Sequence, residues 1–137
     1  MLKTASTILL IAVVFGAIYS LVLMVSPQTV STLTDEELQS PACIKRVFEV
    51  VRHMGALGLA ANIAAFFILY NGFKKGLKWG WWGFLLTGIV GWGYGLVRFI
   101  INGDTKNLIG NLVGVVLLLA GILLPLKVFF PKKTATS

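Results

Sequence analysis

The chain has 137 residues, of which 57% are hydrophobic and only 12% charged, with a formal net charge of +7 and a single cysteine. Soluble domains average roughly 45–50% apolar and about 25% charged, so the composition excludes an ordinary soluble domain and points to the membrane class. Cys43 alone excludes an intramolecular disulfide framework, and the basic residues lie in loops and tails between apolar runs, which argues against nucleic acid as a partner.

Residues 1–6 carry Lys3 and the free amine, and an apolar run follows over 7–25. Apolar regions of signal peptides are roughly 7–15 residues and end at small residues. This run is longer and closes on Leu23-Met24-Val25 before Ser26-Pro27, so it reads as a retained spanning helix. At about 1.5 Å per residue it is just long enough for a hydrocarbon core of roughly 30 Å.

Residues 26–40 form an acidic loop with Asp35, Glu36 and Glu37 and no basic residue. Thr34 with Glu37 fits a capping box, and Leu33 with Leu38 a hydrophobic staple, which predicts a short surface helix. Ser40-Pro41 then supplies an N-cap and a first-turn proline, so the second long helix is expected to start at Pro41. Its opening turns set Lys45, Arg46, Glu49, Arg52 and His53 on one side and Ile44, Val47, Phe48 and Val51 on the other. The charge-free span covers 54–70.

Gly72 is the expected C-cap of that helix. Lys74, Lys75 and Lys78 occupy the loop beyond it, and Tyr70, Trp79, Trp81 and Trp82 flank the loop at the expected headgroup level. The third span, 79–101, is crowded with glycine, and Gly91 with Gly95 makes a pair four residues apart that lets helices approach closely in lipid. Ala60, Ala61, Ala64 and Ala65 on the second helix are the expected counterpart. Asn102-Gly103-Asp104 ends the third span, Asp104 or Thr105 caps the fourth, 107–130, and so short a connection predicts antiparallel neighbours. Gly110 and Gly114 repeat the small-residue pair, and Pro125 predicts a kink near the inner end.

The predicted fold is therefore all-α: a single transmembrane domain over 1–137, built as an antiparallel four-helix bundle. With four crossings, Lys3, Lys74, Lys75, Lys78, Lys127, Lys132 and Lys133 fall on one side with no acid, and Lys45, Arg46, Arg52, Arg98 and Lys106 on the other with all five acids. Lysines held in short loops and tails mark the cytoplasmic side, so both termini are expected there, in a multi-pass protein of the cell membrane.

Polar residues unexplained by loops gather at the outer helix ends: Glu49, Arg52 and His53 on the second helix, Arg98 and Asn102 on the third, Asn107 and Asn111 on the fourth. Arg98 lies a turn inside its helix end, where an arginine snorkels or finds a partner. Two readings follow: an outward-facing pocket for a headgroup, a quinone carbonyl or an anion, or an interfacial ion pair that anchors helix ends. His53 stands one turn after Glu49, a spacing at which the carboxylate would hold one imidazole tautomer. No metal site and no cofactor is predicted, since one histidine cannot make a bis-histidine haem site and cysteine–histidine clusters are lacking. Asn62, midway along the second span, is expected to serve as helix-packing glue.

Ser26-Pro27 after the first span, the acidic loop, Glu49 and Arg52 ahead of Gly55 and Gly58, and Arg98 before Asn102-Gly103-Asp104 look like the DoxX-like superfamily of small bacterial and archaeal membrane proteins. The resemblance covers most of the chain by architecture. It implies an accessory subunit, since some members serve membrane oxidoreductases, while Asn111 stands where relatives often carry a carboxylate. The expected function is a non-enzymatic accessory, assembly or binding subunit that contacts membrane lipids and forms a homo-oligomer or part of a larger membrane complex. The alternative is a small lipid- or quinone-handling enzyme or carrier using Glu49 and Arg98.

Overall fold

The computed structural model describes residues 1–27, 40–102 and 105–131, with the backbone alone described for Arg98, Phe99, Asn102 and residues 105–108. Every described element is helical. α1 covers Leu2–Val25, α2 Pro41–Ile68, α3 Lys78–Gly88, α4 Tyr94–Asn102, α5 Thr105–Leu123 and α6 Leu126–Phe129. The acidic loop with its capping box, the Gly103-Asp104 connection and the tail after Pro131 lie outside the described residues.

Two π-helical turns, Leu69–Phe73 and Ile89–Gly93, modify this plan. The first extends α2 and closes with the Lys74 amide donating to the Leu69 carbonyl at 2.8 Å. The second joins α3 to α4 through right-handed backbone at Gly88 and Tyr94, so the expected third helix is one helical run with a wider turn in its middle.

The end of α2 corrects the predicted cap. Gly76, not Gly72, adopts the left-handed conformation, with φ of 71°. The Leu77 amide donates to the Gly72 carbonyl at 3.0 Å and the Gly76 amide to the Phe73 carbonyl at 2.9 Å, which is a Schellman motif centred on Gly76. Gly72 serves close approach instead: a β-carbon on it would lie 2.8 Å from Gly80 Cα, and one on Gly80 would overlap the backbone of Gly72 and Phe73. The two helices of this hairpin thus meet backbone to backbone.

The chain divides into two compact units, Val14–Ile63 and Met1–Val13 with Ala64–Ser137. In the first, α1 and α2 run antiparallel with small residues between them. A β-carbon on Gly55 would sit 2.7 Å from the Ser20 carbonyl oxygen, one on Gly58 2.6 Å from Ser20 Oγ, and one on Gly16 2.5 Å from Asn62 Oδ1. Ala60, Ala61 and Ala64, expected as packing residues, are exposed, and Ala65, a residue of the second unit, packs against that unit's own core.

That core joins Ala5, Leu9 and Val13 of α1 to Leu69, Phe73, Trp81, Phe84, Leu118, Ile122 and Phe129. Phe73 is its hub, with ring centroids 5.6 Å from Phe84 and 4.9 Å from Phe129 at the inclined angles aromatic pairs prefer. The same unit shows α5 antiparallel to the α3–α4 run: Leu118 fills the space beside Gly88, the Trp92 indole covers Gly114, and Asn111 lies against Gly95. Pro125 does more than kink the last helix; α5 stops at Leu123 and α6 restarts at Leu126, because proline lacks the amide that a continuous helix needs.

Two helical stretches, Leu2–Val25 and Pro41–Phe73, are long and apolar enough to cross a membrane. Only 28% and 22% of their most apolar windows are buried. The core helix of a soluble protein would bury most of such a window; here Ile11, Ile18, Leu57, Ile63 and Phe67 face outward.

Candidate functional site

The amino end of α2 is built as the sequence predicts. The Cys43 amide donates to Ser40 Oγ at 3.4 Å, and Pro41 occupies a first-turn position where no amide is needed. The two-sided arrangement expected beyond it is corrected: helical spacing sets Ile44 and Phe48 beside Lys45, Glu49 and Arg52, and with Pro41 they line one open groove of about 380 Å³. Ile44 and Phe48 are half-buried, while Lys45, Glu49 and Arg52 are exposed. An apolar strip flanked by two cations and one carboxylate suits an amphipathic ligand with a negative or zwitterionic head.

His53 departs from expectation. Its Nδ1 lies 3.4 Å from the Glu49 backbone carbonyl oxygen, and the contact is to the main chain, not the carboxylate. A carbonyl only accepts, so this contact selects the Nδ1–H tautomer and leaves Nε2 as the acceptor of the neutral ring; at this length the preference is weak. The arrangement does not prime the ring as a base through Glu49. Among the described residues neither Glu49 nor Arg52 is held in an ion pair.

Glu49, Arg52 and His53 belong to the unit Val14–Ile63, whereas Asn111 and the backbone of Arg98 belong to the other. The side chains of Arg98, Asn102 and Asn107 lie outside the described residues. Asn111 rests against Gly95 on α4. Of the predicted packing glycines, Gly95 and Gly114 each receive a neighbouring side chain, while a β-carbon on Gly91 or Gly110 would meet open space. Asn62 spends its donor within its own helix, Nδ2 to the Gly58 carbonyl at 2.8 Å, and presents its oxygen to Gly16.

Three structural residues escaped the sequence reading. Gly16 and Ser20 form the α1 side of the small-residue contact; their four-residue spacing was a readable signal. Ser20 Oγ donates to the Gly16 carbonyl at 2.8 Å. Trp81, expected at the headgroup level with Trp79 and Trp82, is buried and donates its indole N–H to the Ile122 carbonyl. Among the described residues no group of three histidine, cysteine, aspartate or glutamate side chains could hold a metal ion.

Set against protein-family models, curated proteins and solved structures, the chain matches none of them.

Proposed function

We propose that this chain is a multi-pass protein of the cell membrane, crossing four times with both termini cytoplasmic, and that it acts as a non-enzymatic accessory, assembly or binding subunit of the kind the DoxX-like resemblance implies. The membrane reading rests on apolar faces that no described part of the fold covers. The α3–α4 run, Lys78–Asn102, has 25 residues and α5 has 19, or about 37 and 28 Å at roughly 1.5 Å per residue. Both lengths suit a hydrocarbon core of about 30 Å. α1 supplies Ala5, Leu9 and Val13 to the core and so belongs to the folded body.

The single observation that favours a subunit over a self-sufficient protein is the state of the glycines. Gly91, Gly93 and Gly110 face open space on helices whose other glycines are tightly covered, and small residues on a lipid-facing surface suit close approach by another helix. Mild detergent extraction is expected to recover the chain as a homo-oligomer or with a stoichiometric partner, and Gly91→Leu to disperse that assembly. A lone wild-type monomer would overturn the subunit role.

A second reading, a lipid- or quinone-handling carrier or enzyme, is favoured by the amphipathic groove at Lys45, Glu49 and Arg52. Under it, Glu49→Gln and Arg52→Gln abolish ligand retention while the chain stays folded; retention unchanged in both variants would end it.

A further inference from the structure

The unit formed by Met1–Val13 and Ala64–Ser137 contains one acidic side chain in its sequence, Asp104, set in the connection between α4 and α5. Its opposite end carries a run of exposed cations. Lys74, Lys75 and Lys78 surround the Gly76 turn, and Lys127 projects from α6. The core ties these segments together, since Phe73, one residue before Lys74, stacks against Phe129, two residues after Lys127.

Aromatic rings are interleaved with these charges. Lys74 Nζ stands 3.8 Å from the Tyr70 ring centroid, and Lys78 Nζ 5.7 Å from that of Phe130. Phe130 in turn meets Trp81 and Trp82 edge-on, with centroids 5.1 and 6.5 Å away. Tyr70, Trp79, Trp82 and Phe130 all keep exposed ring surface beside the lysines. Among the described residues none of these four ammonium groups is paired with a carboxylate, which suits anions from outside the chain, and the rings beside them suit the acyl–glycerol level just beneath a headgroup plane.

We infer that this end is a binding collar for anionic phospholipid: Lys74, Lys75, Lys78 and Lys127 hold phosphodiester headgroups while Tyr70, Trp79, Trp82 and Phe130 pack on the glycerol and first acyl carbons. The inference rests on the membrane reading above. It goes beyond orientation, because lysine retention on one side demands no preference among lipids, whereas the collar does. The aromatic ledge selects a lipid over free phosphate, which has nothing to lay on the rings.

The test uses the tryptophans already at the collar. The full chain is placed in phosphatidylcholine bilayers containing, as a guest, either brominated phosphatidylglycerol or brominated phosphatidylcholine, and quenching of tryptophan fluorescence is followed against guest fraction. A Trp92→Phe background confines the signal to Trp79, Trp81 and Trp82. The expected result is an apparent preference of about 3- to 10-fold for the anionic guest at low salt, falling toward parity in about 1 M salt, where screening acts within roughly 3 Å. The combined variant Lys74→Gln, Lys75→Gln, Lys78→Gln, Lys127→Gln loses the preference, and the corresponding arginine quartet keeps it. Equal quenching by the two guests in the wild type would overturn the collar and leave the lysines to an acidic protein partner. A preference that survives the glutamine quartet would overturn it equally. Quenching by neither guest would overturn the membrane reading and the collar together.

Discussion

The indole Nε1–H of Trp81 donates to the backbone carbonyl of Ile122 across 3.1 Å, joining α3 to the end of α5. The bond answers a need created by Pro125. α5 stops two residues before the proline, so its last carbonyls lose their usual donors. The Leu124 amide serves Ala120 at 3.2 Å, and Trp81 serves Ile122 from another helix. Trp81→Phe keeps most of the ring and strands a buried carbonyl, so it is expected to cost about 1–2 kcal/mol. Reversible unfolding in mixed detergent micelles measures this; Trp82→Phe, at an exposed site, is the control and should change little.

Glycines in this chain divide by what faces them. Gly80→Ala pushes a β-carbon into the main chain of Gly72 and Phe73, which cannot turn aside. It should destabilise by more than about 2 kcal/mol or prevent accumulation. Gly110→Ala meets open space and should hold or raise the stability of the isolated chain by up to about 1 kcal/mol, the helix-propensity difference. The same unfolding assay ranks the two.

The contact between Gly16 and Asn62 is testable by a double-mutant cycle. Gly16→Ala alone drives a methyl against Asn62 Oδ1 and should destabilise. Asn62→Ala alone should cost less, because its donor bonds a carbonyl of its own helix. Combined, the two should recover part of the loss, with a coupling of about 0.5–3 kcal/mol. Strict additivity would show that the pair does not touch.

Ser6 is buried and its hydroxyl has no hydrogen-bond partner among the described residues. Burying an unpaired hydroxyl costs about 1–3 kcal/mol in protein mutational series. Ser6→Ala is therefore expected to stabilise the chain by roughly 1 kcal/mol, whereas Ser20→Ala, which removes a made bond to Gly16, should not. Melting temperatures of the two variants in one detergent decide between these directions.

Cys43 is exposed on the first turn of α2. In the proposed orientation a membrane-impermeant maleimide labels it in intact cells, and an engineered Lys75→Cys in a Cys43→Ser background is labelled only after the membrane is opened. The reverse pattern would invert the topology.

Helix existence, the start at Ser40-Pro41 and the hairpin about the lysines were all legible in the sequence, because they depend on residues within a few positions of one another. Composition, a capping serine and a run of apolar residues long enough to cross a bilayer are local quantities. The charged residues Lys45, Glu49 and Arg52 were legible as neighbours on one helix, but not that Ile44 and Phe48, expected on the opposite side, line the same groove. Which side of each apolar helix turns inward was not. α1 and α3 are apolar all round, so periodicity carries no phase, and each π-helical turn inserts a residue that rotates the following face by about 100°. Only the packed structure could choose Trp81 over Trp79 and Trp82 for the interior, move the cap from Gly72 to Gly76, and pair Gly16 with Asn62. Two of those choices depend on groups far apart in the chain, the Trp81 indole on the Ile122 carbonyl and Gly16 on the Asn62 side chain, while the cap moves to Gly76 because Gly72 is taken up by its backbone approach to Gly80.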